Sequence, residues 1–499
     1  MTMTNLITSL NARTGEPLAE IPASTSAEMD RACQAAASAL DDWQASSAEQ
    51  RTALLRGLAD ALEGERASLV AQADAETALG PVRLNGELDR TSFQLRRFAD
   101  LVAQNQAFAI TDDPAIGGGP PAGHPAMQRW QVPLGPVAMF AASNFPFAFS
   151  VLGGDTASAL AAGCSVVVKA HSGHLLTSRM VFDLTQTVLL KQGLPAGLVG
   201  MVQDLGHEVG VRLIRHPAIA AGAFTGSTRG GAALAAQAAA RAVPIPFFGE
   251  LGAINPVVAW PSCLSRDGQA LAQQLAASIT QGSGQFCTSP GVVLLCDATP
   301  TLGDARATND QFVDQLAAAL SAQTTHPMLT KGIRQALDAG VRRWVEGGAS
   351  LLLSVGTEAA PQAVLAQVSA SDFIAEPMWR DEVFGPACLV VRAADVDEGL
   401  RALRAVGGSL TATLWGLDED SDAAHAWVRA AMSVAGRVLF AGVPTGVAVS
   451  RGQQHGGPWP SCTRPESTSV GDAALQRFLR PVCLQDPPNW VMARAGRPF

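Results

Sequence analysis

From about Leu134 to Val258, short apolar or β-branched runs alternate with alanine-rich stretches of helical spacing, the pattern of successive βαβ units on a parallel sheet. The predicted strands are LGPVAMFAA, CSVVVK, LVGMV, IAAGAF and VPIPFF, with helices near 148–162, 174–191, 206–215 and 229–241 between them. This is a doubly wound α/β layout of the nucleotide-binding kind. The G-x-G-x-x-G turn expected after the first strand is absent, so a dinucleotide must be held in another way.

Upstream, residues from about 25 to 110 read as mostly helical and are expected to pack against the sheet. A Gly/Pro-rich break, AIGGGPPAG from Ala115 to Gly123, separates them from PAMQRWQVPLG, which alternates like a single extended strand in need of a partner. From about 260 to 475 helices again alternate with strands (VVLLC, ACLVVRA, TATLWG, GRVLFAG), which predicts a second α/β domain.

Composition narrows the function classes. With 499 residues, 47% hydrophobic and 16% charged, the chain is long enough for more than one core. A net charge of -9 offers no basic face to a nucleic acid, which leaves a small-molecule partner. The N-terminus lacks the pattern of a secretory leader, and no apolar run reaches the roughly 18 residues of a membrane span. Eight cysteines without a CxxC pair suggest neither a metal cluster nor a disulfide framework, so a reducing cytoplasm is the expected setting. Only three basic residues are lysines, Lys169, Lys191 and Lys331.

The stretch GQFCTSPG places Cys287 just after a predicted helix (about 266–282) and a Gly-Ser-Gly break, where a thiol on a turn can act as a nucleophile. An arbitrary cysteine is more often a small buried hydrophobe. A glutamate after a strand is usually a surface charge or a cap, and an asparagine before Phe-Pro is an ordinary turn former. Cys287 stands apart because of its company: Asn144 in ASNFPF, Lys169 in VVVKAH, the turn FTGS at 224–227, Glu250 in FFGELG and Glu382 in EVFGP. VPTGV at 443–447 and HGGP at 455–458 complete the set.

In this order, over nearly the whole chain, these motifs resemble the aldehyde dehydrogenase superfamily. The resemblance implies two doubly wound α/β domains plus a small oligomerisation β element. The cofactor domain is expected over 1–114 and 134–252, the catalytic domain over 253–476, and the oligomerisation element over 115–133 and 477–499, joining subunits into a homodimer or homotetramer. Cys287 is then the nucleophile, Asn144 an oxyanion donor with the Cys287 amide, and Glu250 the general base that clears a thioester. Lys169 takes the adenosine ribose, Gly226, Ser227 and the following helix N-terminus meet the pyrophosphate through backbone amides, and Glu382 takes the nicotinamide ribose.

NAD-preferring relatives commonly carry a glutamate three residues after this lysine, where this chain has Ser172. A carboxylate there would repel a 2'-phosphate. Ser172, with His171 and Lys169 nearby, would accept one, so NADP is the expected cofactor with NAD also used.

NFPFAFSVLGGDTASALAAGCSVVVKAH, GQFCTSPG and TSVGDAALQRFLRPVC are most similar to the α-ketoglutaric semialdehyde (2,5-dioxopentanoate) dehydrogenases within the superfamily. An NADP-linked branch acting on fatty aldehydes is the alternative. CoA-acylating members generally lack the base that Glu250 supplies, and a structural member has no need of Cys287, Asn144 and Glu250 together. Phe145, Phe147, Phe286 and Trp459 suit an apolar substrate tunnel or plain core. Ala441 and Trp459 depart from the residues usual beside GxPTGV and HGGP, which bears on substrate range. No arginine is assigned to a substrate carboxylate.

Overall fold

A computed structural model describes residues 6–106, 108–299, 303–354, 356 and 360–493. The ends of the expected segments 1–114 and 477–499 therefore lie partly outside the described residues. All five strands expected between Leu134 and Val258 form one parallel sheet in the order Val199–Val202, Val166–Lys169, Val137–Phe140, Ala221–Thr225 and Phe247–Glu250. The first strand is central and the chain winds outward to both sides, so ligand-binding loops collect at the carboxyl ends of the strands. Helices Gly154–Ala162, Leu175–Lys191, Glu208–Arg215 and Thr228–Ala239 cover it. The first begins later than expected, because 145–153 is a turn held by Glu87, whose Oε1 accepts from the Phe147 and Ala148 amides at 2.7 and 3.0 Å.

The N-terminal region is helical as expected, over Ser26–Gln44, Ala48–Gly64, Arg66–Thr77 and Pro81–Ala103. The first two helices open with capping boxes, Thr25 with Glu28 and Ser47 with Gln50, each satisfying two orphaned amides. Trp43 is buried and donates Nε1–H to Leu160 O at 3.0 Å, which ties this layer to the sheet helices. An antiparallel hairpin, Leu6–Leu10 with Pro17–Pro22, precedes them.

The second sheet has seven strands, in the order Ser350–Leu353, Val364–Ser369, Ala387–Ala393, Val292–Cys296, Pro256–Ala259, Ser409–Trp415 and Ala435–Leu439. It is parallel except at the 350–353 edge. The extended strand Met127–Pro133 pairs antiparallel with Leu479–Gln485 on one side and Thr111–Asp113 on the other. Among the described residues no helix is long and apolar enough to cross a membrane.

Candidate active site

The helix Pro261–Thr280 ends in a reversal of backbone handedness. Gly282, Ser283 and Gly284 all have positive φ (57°, 54° and 69°). At Gly284 a Cβ would lie 2.1 Å from the Gly385 carbonyl carbon, so only glycine fits. The left-handed Ser283 is held by His326, whose O accepts from Ser283 Oγ and whose N–H donates back to it, both at 2.8 Å. Asn255 Nδ2 then donates to the carbonyls of Cys287 and Ser289 at 2.8 and 2.9 Å. The thiol is thus fixed by its backbone, at the sequence position predicted to lie on a turn.

Around it the structure brings together residues far apart in sequence. Glu250 ends its strand with both oxygens buried: Ser469 Oγ donates to Oε2, and Oε1 lies 2.8 Å from His455 Nε2. The same Nε2 is 3.6 Å from Cys287 Sγ. Ligand-type atoms of Glu250, Cys287 and His455 all fall within 4.8 Å of one another. Burial and the adjoining Glu250 charge push the Cys287 thiol well above its ordinary value, so it rests protonated. Burial pushes Glu250 up, but His455 and hydrogen bonds from His455 and Ser469 outweigh it and hold the carboxyl below the ordinary range. Neither His455 nor Ser469 received a role from sequence. HGGP was visible as a motif, but nothing in it pairs the imidazole with a glutamate at the end of a strand far earlier in the chain.

Asn144 is buried and donates one of its two Nδ2–H bonds to Gln285 O at 2.9 Å, two residues before the thiol. Phe145 and Phe286 stack edge-on, centroids 5.3 Å apart. Phe147 is core and Trp459 is 57% exposed, so of the four aromatics considered for a tunnel only Phe145 and Phe286 form a common wall.

The other expected residues gather at the ends of the first sheet. Lys169 ends its strand and donates Nζ–H to Asp204 O at 3.0 Å, with burial lowering its pKa. Ser172 opens a short 3-10 turn beside it. His171 differs from expectation: burial, with the charges of His174 and Lys169, pushes it down to about 3, and its Nδ1 accepts from Gly173 N at 3.0 Å. It is a neutral ring and adds no positive charge for a 2'-phosphate.

Gly226 also differs, because its N–H already donates to Glu250 O at 3.0 Å. The glycine instead keeps the turn tight, since a Cβ there would meet the Phe224 ring at 2.8 Å. Ser227 caps the helix Thr228–Ala239 with Oγ accepting from Gly230 N at 3.2 Å. Glu382 borders a small pocket of about 20 Å³ lined also by Ala253, Phe286, Ser289 and Phe384. Burial pushes its carboxyl up to about 7.

A thiol beside a cavity, backed by an imidazole and a carboxylate and adjoining a doubly wound sheet, defines an enzyme of the covalent-cysteine dehydrogenase class. The chain belongs to the aldehyde dehydrogenase family, whose sequence model matches residues 2–479. It oxidises an aldehyde to a carboxylic acid with NAD(P) as oxidant. "Alpha-ketoglutaric semialdehyde dehydrogenase 2" of Azospirillum brasilense is 43% identical over 467 residues, covering 93% of this chain and 87% of that protein. The "Alpha-ketoglutaric semialdehyde dehydrogenase" of Acinetobacter baylyi is 39% identical over 491 residues, 96% of this chain and 90% of that one. The fold matches lactaldehyde dehydrogenase of Escherichia coli with a TM-score of 0.82 at 20% identity, covering 97% and 96% of the two chains.

Proposed function

We propose that the physiological reaction is oxidation of 2,5-dioxopentanoate (α-ketoglutaric semialdehyde) to 2-oxoglutarate, with NADP preferred and NAD also used. The observation that carries the chemistry is the Cys287–His455–Glu250 cluster. The two semialdehyde dehydrogenases that match most of the chain support the substrate. Ser172, where a carboxylate would repel a 2'-phosphate, supports NADP.

Cys287 rests as a thiol, so its attack on the aldehyde carbon requires a proton acceptor. Glu250, hydrogen-bonded to the Cys287 thiol, takes that proton and passes it to solvent before it acts again, while His455 donates Nε2–H to its Oε1 and holds the carboxylate in place. The second Nδ2–H of Asn144, with the Cys287 amide, receives the oxyanion of the thiohemiacetal. Bound NAD(P) supplies the hydride acceptor, held by Lys169, Ser172, Ser227 and Glu382, with Gly226 keeping the turn close. The thioester left on Cys287 is attacked by water that Glu250 deprotonates, which releases the acid and restores the thiol. A buried base beside the thioester favours water over CoA as acceptor.

In the same reading, segments 1–114 and 134–252 form the cofactor domain, 253–476 the catalytic domain, and the 127–133 and 479–485 strands part of an oligomerisation element in a cytoplasmic homodimer or homotetramer. Edge backbone on that three-stranded sheet supports pairing between subunits. Initial rates of NADPH formation with 2,5-dioxopentanoate and with hexanal, without CoA and beside a Cys287→Ala control, test the assignment. Faster Cys287-dependent turnover of 2,5-dioxopentanoate is expected; activity confined to hexanal moves the enzyme to the fatty-aldehyde branch.

A further inference from the structure

Three arginines converge on the wall beside Cys287, and no chemical step uses them. Arg83 and Arg90 stand seven residues apart on the helix Pro81–Ala103, two turns, so they share a face. Arg83 lies 4.4 Å over the Phe286 ring and 5.0 Å over Phe145, and donates Nη2–H to Asn144 O at 2.5 Å. Arg90 lies 5.8 Å over Phe149 and donates Nη1–H to Val447 O. Arg437 donates to Pro444 O and Gly446 O of the same 443–447 loop, at 2.5 and 3.1 Å. Glu87, on the arginine face of the helix, also accepts from two backbone amides, so two guanidinium groups and one carboxylate leave this face with net positive charge.

The hydrogen-bond inventory of Arg90 is the informative part. Its Nε and Nη2 are out of contact with solvent and have no hydrogen-bond partner. Those two N–H groups form the side edge of the guanidinium, the fork that grips a carboxylate with two parallel bonds. This protein uses the same edge elsewhere: Arg97 holds Asp472 through Nε and Nη2 at 2.8 and 2.6 Å. A role as a prop for the 443–447 loop accounts for Nη1 alone. A desolvated cation with an unpartnered fork is costly in a folded protein unless a ligand completes it.

We propose that the Arg90 fork receives the carboxylate at the far end of the substrate from the aldehyde, with Arg83 contributing a second positive charge. The substrate class is then aldehydes that carry a terminal carboxylate. This rests on the semialdehyde reading above and adds the group that recognises the acid end.

The test compares kcat/KM for 2,5-dioxopentanoate and for pentanal, an uncharged aldehyde of the same length, in the wild type and in Arg90→Gln. The ratio of the two values should fall about 100-fold in Arg90→Gln, the scale for removing one partner of a buried charged pair. The inhibition constant of glutarate, competing with pentanal, should rise by a similar factor. Arg90→Lys keeps the charge without the fork; it guards against misfolding of the Gln variant and should lose about tenfold in the same ratio. An unchanged ratio and unchanged glutarate inhibition, in a wild type that prefers 2,5-dioxopentanoate, overturn the proposal and leave the function standing. A wild type that prefers pentanal overturns both.

Discussion

His455 Nε2 stands 2.8 Å from Glu250 Oε1, in a contact where both side chains are almost wholly buried. One imidazole edge thus faces the base that must activate water and the thiol that must lose a proton. In His455→Gln the Glu250 carboxylate loses the imidazole that holds it below the ordinary range, so its pKa rises and less of the base is ionised at neutral pH. We expect kcat/KM at pH 7 to fall about 100-fold, the usual scale of general-base catalysis, with the deficit narrowing as pH rises. A pH–rate profile of both proteins checks this; a parallel loss at every pH would mean that His455 only holds the site together.

Because burial and Glu250 raise the Cys287 thiol, its thiolate fraction in the free enzyme grows with pH throughout the neutral and mildly alkaline range. Alkylation of Cys287 by iodoacetamide should therefore accelerate about tenfold per pH unit from 7 to 9. Glu250→Gln removes the repelling charge and should speed alkylation at any fixed pH. The same variant should stall after one equivalent of NADPH, because the more readily ionised thiol still forms the thioester but water is not activated. Mass spectrometry of the trapped acyl-enzyme, beside a stopped-flow burst, separates the two effects.

Asn144→Ala should cut kcat about 100-fold or more, near 3 kcal/mol of barrier, as the loss of one oxyanion donor does elsewhere. Its thermal midpoint should move little by comparison, since a single bond to Gln285 O is removed from the fold. Steady-state rates with a melting curve decide between a donor and a strut.

For the cofactor, Ser172→Glu should lower the ratio of kcat/KM for NADP to that for NAD by at least about tenfold, because a carboxylate beside Lys169 repels a 2'-phosphate. His171 is already neutral, so His171→Gln should leave that ratio nearly unchanged over pH 6 to 8. A ratio that falls as pH rises through 7 in the wild type but not in this variant would contradict the neutral assignment.

Arg477 Nη2 meets Asp155 Oδ1 at 2.6 Å in the interior and links the first sheet helix to the turn before the last strand. Arg477→Ala should destabilise the protein by about 3–5 kcal/mol by stranding a buried carboxylate. Urea unfolding measures it, and a loss under about 1 kcal/mol would indicate that water reaches the site.

Much of this was readable in the residues. The five strands of the first sheet are apolar runs buried from both faces, so Val166–Lys169 or Ala221–Thr225 needed only hydrophobicity and turn residues to be found. Val364–Ser369 was missed because VLAQVS alternates weakly, and its place between two strands is set by pairing with Ala387–Ala393. The Leu6–Leu10 hairpin, whose first strand alternates exposed and buried positions, carries no long apolar run at all. Cys287, Asn144 and Glu250 were legible because their motifs are local. His455, Ser469 and Arg90 were not, since their meaning lies in a neighbour from another part of the chain: an arginine on an amphipathic helix reads as a solvated face until the Phe149 ring and the Val447 carbonyl are seen beside it.

The antiparallel pairing of Met127–Pro133 with Leu479–Gln485 has a consequence in time. On a ribosome the earlier strand emerges long before its partner, and His455 and Ser469 likewise arrive well after Cys287 and Glu250. An unfinished chain carries a thiol and a carboxylate without the two donors that hold that carboxylate ionised. Chemical competence therefore arrives with the closing stretch of the polypeptide, which keeps half-made molecules from capturing aldehydes they have no means to release.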